Sequence, residues 1–366
     1  MPEKGQKTVI VAMSGGVDSA VAALLLKNEG YNLIGVTMKT WGYDDIPEKD
    51  SGCCSLETIY SARNVANQLG FNHYTIDFTD KFNEVVITNF IDEYLAGHTP
   101  NPCVLCNKAI KWGALLEKAE ELGADYIATG HYAMINLAQN TNRHFVSKSA
   151  DLTKDQSYAL WQVSQYALGK TIFPLGGYKK TEIREIAKEL GLKPADTPDS
   201  QEICFVPNDD YRQLIQIRMP ELKSALVGGD IVYHDKKIGT HKGYINYTIG
   251  QRRGLELSVG KPLYVSRIDA ENNVIFVDDE AGLYNREFNC NKINLQKYSE
   301  LTSPMKCVVK IRYKDSGAPA VIEQISADGI KVIFDEPKKA ITPGQSAVFY
   351  EGDDVIGGGI IQSISN

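Results

Sequence analysis

The sequence predicts an α/β protein: a Rossmann-like domain on a parallel sheet, then a small central domain, then a C-terminal β-barrel. Three observations predict it. Through the first two hundred residues short apolar runs alternate with helical patterns, as in βαβ units whose sheet is covered on both faces. A glycine-rich turn, SGGVDS (Ser14–Ser19), joins the first such run to the first helix. After about Pro207 the texture shifts to Val-, Ile- and Tyr-rich runs with frequent turns, which suit a small barrel or sandwich. A chain of 366 residues has room for two or three domains, with expected divisions 1–208, 209–278 and 279–366.

In chain order, strands are expected at Thr8–Ala12, Leu33–Met38, His73–Phe78 and Tyr126–Thr129. Helices are expected between them at Ser19–Asn28, Leu56–Leu69, Asn83–Leu95 and Lys108–Leu122, with another at Thr181–Leu190. Gly30, Gly70, Gly97, Gly123 and Gly191 follow these helices, where a left-handed residue ends the last turn. A helical stretch at Tyr211–Met219 then gives way to Gly228–Gly229 and to β-like runs. From Val274 onward the runs NNVIFVD, MKCVVKIRY, APAVIEQIS, GIKVIFD, QSAVFYEGD and DVIGGGII read as strands. With no internal repeat or low-complexity linker, the domains are expected to pack against one another.

Hydrophobic content of 43% and charge of 23% are ordinary for a globular protein. No stretch approaches the ~18 apolar residues that cross a bilayer, and the start lacks a signal-peptide pattern, so a cytoplasmic protein with no membrane partner is expected. Seven cysteines, an odd number, do not read as a secreted disulfide framework. In a reducing compartment they are metal ligands, catalytic thiols or buried fillers. The net charge of −7 weighs against a nucleic-acid partner, but only as a whole-chain sum. Basic stretches at His241–Leu255 and Lys310–Lys314 are either solvated loops or a local nucleic-acid face.

The SGGVDS turn has the chemistry of a phosphate cradle. Its glycines let the backbone approach anionic oxygens, the next helix directs N–H groups at them, and Ser14 and Ser19 add hydroxyls. It matches neither the Walker loop nor the dinucleotide fingerprint. Downstream, about a hundred residues apart, lie Cys106 in TPNPCVLCNKAIKW and Cys204 in DTPDSQEICFVP. Cys106 is expected just ahead of a helix beginning near Asn107–Lys108, whose positive end, with Lys108 and Lys111, favours thiolate. Thr99-Pro-Asn-Pro is expected to be an extended approach, and Cys204 to lie exposed. Cys103 adds a CxxC, either a redox pair or half of a metal site, and adjacent Cys53 and Cys54 make poor tetrahedral partners for it. Three thiols at 103, 106 and 204 suffice for an iron–sulfur cluster with one open iron; two suffice for persulfide chemistry. A phosphate loop with separated thiols implies that nucleotide energy is coupled to sulfur chemistry.

The hexapeptide resembles the loop of the PP-loop ATP pyrophosphatases, which adenylate a carbonyl oxygen and release pyrophosphate. With GCCSLE, TPNPCVLCNKAIK, ATGHYA, KDQSY, DSQEICF, GYINYTIGQRRGL, IRY and TPGQSAVFYEGD, in order over almost the whole chain, the sequence is similar to the tRNA-specific 2-thiouridylases of the MnmA type. That resemblance implies ATP-dependent thiolation of carbon 2 of the wobble uridine (position 34) in tRNAs for lysine, glutamate and glutamine. It implies ATP binding by Ala12, Met13, Ser14, Gly15, Gly16, Val17, Asp18, Ser19, Met38 and Gly130, with Mg²⁺ on the phosphates and no dedicated metal site. It places Asn101, Pro102 and Cys103 at the target base, and His131, Lys154, Asp155, Gln156, Arg312, Tyr313 and Gln345 at the tRNA. Cys204 becomes the persulfide carrier, charged by a sulfur-relay protein or cysteine desulfurase; Cys106 frees the sulfur and ends in a disulfide with Cys204. Some members carry Asp where this chain has Cys103, which keeps the iron–sulfur alternative open. A monomer is expected. The rival readings are a PP-loop amidoligase using ammonia, and an RNA-binding module that keeps ATP only as a structural ligand.

Overall fold

Five parallel strands, β1 (Thr8–Ala12), β2 (Asn32–Lys39), β3 (Asn72–Asp77), β4 (Tyr126–Ala128) and β7 (Thr171–Ile172), form a sheet in the order β3-β2-β1-β4-β7. The computed structural model describes residues 7–41, 55–189, 191, 203–206, 210–218 and 227–362. β1 is buried from Val9 onward because helices cover both faces, which is why it reads as a continuous apolar run. Helix α1 (Val17–Asn28) and helix α2 (Leu56–Leu69) fall where the apolar spacing predicts them. Ser55 caps α2 through its hydroxyl and Gly70, at φ 73°, closes it. Gly30, Gly97, Gly123 and Gly191 share that left-handed conformation.

The next helices carry wide turns the sequence pattern does not announce. Helix α3 (Thr79–Phe82) runs through a π-type turn at Asn83–Ile87 into α4 (Thr88–Leu95). Helix α5 (Pro102–Cys106) likewise runs through Asn107–Ala114 into α6 (Leu115–Glu121). The helix expected from Lys108 therefore starts at Pro102. A proline at the first helical position loses no bond the helix needs, so Pro102 opens the helix rather than extending the loop.

Beyond β4, an antiparallel hairpin, β5 (Ala133–Ala138) and β6 (Arg143–Lys148), leaves the first domain's sheet altogether. Helices α7 (Gln165–Gly169), α8 (Lys180–Glu189) and α9 (Tyr211–Arg218) follow. The central domain is a four-stranded sheet of β8 (Asp230–Tyr233), β9 (Lys236–Thr240), β10 (Tyr264–Asp269) and β11 (Val274–Asp278), in the order β10-β11-β8-β9. NNVIFVD thus belongs to this sheet, not to the barrel. The barrel comprises β12 (Tyr284–Leu295), β13 (Met305–Lys310), β14 (Ala318–Ser326), β15 (Gly329–Lys339), β16 (Ser346–Glu351) and β17 (Asp354–Ile361). Its order β12-β15-β14-β13-β16-β17 closes when β17 pairs back with β12. β12 carries seven asparagines and charges among its twelve residues, and that polarity hid it from an apolar-run reading.

The hairpin welds the first domain to the barrel. β6 pairs with β17 through Ser147 and Asp354. Fully buried Trp161 donates to the Ser346 hydroxyl at 3.0 Å and lies where a Cβ on Gly358 would be 2.7 Å from its ring. Buried Gln296 of the barrel donates to the carbonyls of Leu160 and Trp161. Each buried polar group is thus paired across the boundary, as burial requires.

Candidate active site

The order of the parallel sheet reverses between β1 and β4, and ligands of such sheets lie at the carboxyl ends of the strands at that switch point. SGGVDS follows β1 there. Ala12 and Met13 are buried as the strand ends, and the Met13 carbonyl accepts from the Thr37 hydroxyl at 2.8 Å. Gly15, at φ 77°, turns the chain so tightly that a Cβ would sit 2.3 Å from the Thr58 carbonyl oxygen. Gly16 caps α1, Val17 is buried, and the Ser19 hydroxyl accepts from the Ser14 amide at 3.2 Å while donating to the Gly16 carbonyl at 3.0 Å. Gly130, just past β4, closes the other side; a Cβ there would meet Asp18 and the Ser19 amide at 2.9 Å. Met38, near the end of β2, packs against the two neighbouring apolar clusters. The ten residues expected at the nucleotide therefore lie on β1, on β2, in the turn after β1, in the first turn of α1 or just past β4.

Asp18 stands at the start of α1, where a carboxylate is favoured by the helix dipole. Lys180 donates to both of its oxygens at 2.7 Å, and the Tyr132 hydroxyl donates to one at 2.7 Å.

The second group of expected residues converges from four parts of the chain. Asn101 is extended (φ −114°, ψ 90°) and Pro102 begins α5, so Cys103 lies in the first turn and Cys106 about one turn further along. The helix dipole therefore favours charge at Cys103, not at Cys106 as expected from a later start. Cys103 is solvent-exposed, yet enough protein surrounds its thiol to desolvate it. Crowding raises its thiol pKa, and the Lys111 ammonium opposes that rise.

The barrel holds this loop. The Thr99 amide donates to the Pro343 carbonyl at 2.9 Å, and Gln345 Nε2 donates to the carbonyls of Thr99 at 2.8 Å and Pro100 at 3.3 Å. Gly344, at φ 87°, seats against Thr99 and His98 with no room for a Cβ. The Tyr313 hydroxyl donates to the Asp155 carbonyl at 3.1 Å, and burial, then the charges of Asp155 and Cys103, raise its pKa. Arg312 and Tyr313 are exposed in the turn after β13, rather than within the strand. The Asp155 carboxylate accepts from the Ser149 and Ser157 amides and the Ser157 hydroxyl, so it organises its own loop. Gln156 and Tyr132 exchange two hydrogen bonds of 2.9 Å, and half-buried Lys154 lies in the same loop.

His131 joins the two groups. An ammonium can only donate, so the 3.5 Å approach of Lys111 Nζ makes Nε2 the acceptor and leaves Nδ1–H to donate to the Thr129 hydroxyl at 2.7 Å. Burial, then the Lys111 charge, hold its pKa well below the ordinary value, so the imidazole is neutral at pH 7. Its ring packs beside Trp112 and Phe173.

Cys204 is half-buried rather than exposed, because Phe205 inserts edge-on between Phe82 and Phe90 at 5.4 and 5.3 Å. Cys106 and Cys204 abut the same apolar cluster, and neither is in a disulfide. Among the described residues no three His, Cys, Asp or Glu side chains are placed to hold one metal ion, so Cys103, Cys106 and Cys204 do not fit a cluster site in this arrangement. Cys53 and Cys54 lie outside the described residues. Beside the thiol loop, a 640 Å³ cleft shares Thr99 and is walled by stacked Tyr94 and Tyr211, with Arg212, Lys242 and Arg253 among its lining residues.

Residue types along the chain single out Lys111 only as a neighbour of Cys106 and do not reveal Thr129, Tyr132 or Lys180. Lys180 carried a usable signal: with Ile183 and Ala187 it falls on one helical face, an odd place for a lysine unless it is paired.

A glycine-rich loop at the switch point of a parallel sheet, fused to two β-rich units, defines a nucleotide-binding α/β protein of the HUP class. Three family models match the chain: tRNA methyl transferase HUP domain over residues 7–208, tRNA methyl transferase PRC-barrel domain over 221–279, and Aminomethyltransferase beta-barrel domain over 285–361. The chain is 49% identical to a tRNA-specific 2-thiouridylase MnmA of Salinibacter ruber, covering 100% of this chain and 96% of that protein. It is 50% identical to the protein of that name in Amoebophilus asiaticus, over 97% of this chain and 95% of the relative. The chain belongs to the tRNA-specific 2-thiouridylase family.

Proposed function

We propose that this protein is an ATP-dependent sulfurtransferase that converts the wobble uridine of tRNA to 2-thiouridine. The observation that carries the reading is the packing of Cys106 and Cys204 against one apolar cluster, in a chain whose glycine-rich loop lies at the switch point. Two cysteines outside any disulfide favour transfer of sulfur over transfer of a methyl group or ammonia.

The reaction divides between the two groups of residues. The triphosphate lies on the Ser14–Ser19 amides, whose helix N-terminus favours anions. The uridine, taken out of the stack, lies at Asn101–Cys103, and its O2 attacks the α-phosphorus as pyrophosphate leaves. Bound Mg²⁺ would supply charge neutralisation on the phosphates. Cys204 carries the sulfane sulfur as a persulfide. The Cys106 thiolate attacks the Cys204 sulfur, forming the Cys106–Cys204 disulfide and releasing sulfide. Sulfide adds to carbon 2 and AMP departs; an external thiol then reduces the disulfide. His131, Lys154, Asp155, Gln156, Arg312, Tyr313 and Gln345 hold the RNA, His131 as a neutral hydrogen-bonding ring. The sulfur comes from a relay protein or desulfurase, the tRNAs are those for lysine, glutamate and glutamine, and the protein works as a cytoplasmic monomer. No helix among the described residues is long and apolar enough to cross a membrane.

The test is thiolation of unmodified tRNA with ATP and a persulfide donor, scored by mass. Cys204→Ser and Cys106→Ser are expected to abolish 2-thiouridine while ATP binding persists. Full thiolation by Cys204→Ser would exclude the persulfide route.

A further inference from the structure

The Asp18–Lys180 pair has a consequence for nucleotide binding that neither the loop motif nor the thiol chemistry contains. Asp18 places a carboxylate at the very helix end that has to receive a polyphosphate. Left alone, it would compete for the same positive potential and repel the ligand across a few ångströms, where charges interact strongly near a protein surface. It is not left alone. Lys180 is 7% exposed, donates to both Asp18 oxygens at 2.7 Å, and lies 5.7 Å from the Tyr132 ring centre.

Three independent features hold the lysine there. Lys180, Ile183 and Ala187 are the buried residues of α8 and lie on one face. Ile183 and Ala187 pack with Val17, Ala20 and Val21 of α1. The Lys180 amide donates to Asp151 Oδ2 at 3.0 Å, so a distant carboxylate caps the helix that presents the lysine. Tyr132, the other donor, is pinned through its backbone to Gln156 on both sides. A buried lysine this well anchored loses its charge compensation if Asp18 is removed, and the reverse holds for the carboxylate.

We propose that Lys180, with Tyr132, is a positioning residue of the nucleotide loop: it cancels the charge of Asp18 and fixes its rotamer so that the first turn of α1 presents amides, not a carboxylate, to the polyphosphate. It acts through Asp18. This rests on Ser14–Ser19 being the ATP loop.

The experiment is direct titration of ATP without tRNA, alongside thermal midpoints. Lys180→Met is expected to weaken ATP binding at least tenfold, and Lys180→Arg to stay within about threefold of the parent. The discriminating variant is Asp18→Asn/Lys180→Met, with Asp18→Asn alone completing the cycle. Cancelling both charges is expected to recover most of the loss, which neither a direct lysine–phosphate contact nor a packing role would do. Tyr132→Phe keeps the buried ring and removes the hydroxyl, and should weaken binding about threefold even if Lys180→Met is too unstable to measure. Parent-like affinity in a folded Lys180→Met, a double variant as weak as the single, or an unaffected Tyr132→Phe would each overturn the proposal. A parent protein that binds no ATP would instead overturn the loop assignment.

Discussion

The two halves of the candidate site are built in opposite ways. The nucleotide half is local: one hexapeptide between a strand and a helix, closed by Gly130 from the neighbouring strand. The half proposed for the target base is assembled: Thr99–Cys103 is held by Pro343, Gly344 and Gln345 from the barrel, with Tyr313 and the Asp151–Gln156 loop beside it. A local site is set by backbone geometry that a few residues dictate. An assembled site depends on how separate domains dock, and so it can be broken from a distance.

The largest effect tests the local half. Gly15→Ala places a Cβ at φ 77° and 2.3 Å from the Thr58 backbone. The left-handed conformation alone costs about 1–2 kcal/mol, and neither partner in the overlap is a flexible side-chain tip. ATP affinity is expected to fall at least a hundredfold. Parent-like binding would show that the loop relaxes without cost and that its geometry does not set affinity.

Gly344→Ala tests the assembled half from 245 residues away in sequence. Its Cβ would lie 2.9 Å from the His98 Cβ and 3.1 Å from the Thr99 amide, pushing the barrel loop off the thiol loop. Thiolation, measured as kcat/KM for tRNA, is expected to drop about tenfold to thirtyfold, while ATP affinity stays within about twofold. Loss of both together would mean that the halves are not separable.

This contrast also explains what the sequence discloses. The parallel strands, their helices and the closing glycines follow from apolar spacing, and SGGVDS is legible because phosphate binding needs small residues in one short run. The hairpin at Ala133–Lys148 was illegible, since nothing in its residues says that it will add to a sheet formed two hundred residues later. Pro102 misled because a proline suits both an extended loop and a first helical turn. Gln345, Tyr313 and His131 were foreseen through family resemblance alone; by composition each is an ordinary loop or strand residue. Lys180 fell between the two, visible only once its helical face is drawn.

A smaller effect follows from titration. Burial is the main reason that His73, His131 and His241 have lowered pKa values. The folded protein therefore keeps them neutral, while the unfolded chain takes up protons near pH 6.5. Their contribution to stability is fully present above that value and is lost as pH falls below it. The thermal midpoint is expected to drop by roughly a few degrees between pH 7.5 and 5.5, and His131→Gln should narrow that gap. An unchanged gap would place the acid sensitivity elsewhere.

The smallest effect probes the seam between the halves. Tyr313 is 43% exposed, and its hydroxyl makes one hydrogen bond, to the Asp155 carbonyl, at 3.1 Å. A neutral hydrogen bond at such a position is worth about 0.5–1.5 kcal/mol. Tyr313→Phe removes it and keeps the ring that meets Tyr158 edge-on at 6.0 Å. If the ring stacks on RNA, the KM for tRNA should rise less than about threefold in Tyr313→Phe and clearly more in Tyr313→Ala. Equal losses in the two variants would assign the work to the hydroxyl, making Tyr313 a strut between the barrel and the Asp151–Gln156 loop rather than a surface for a base.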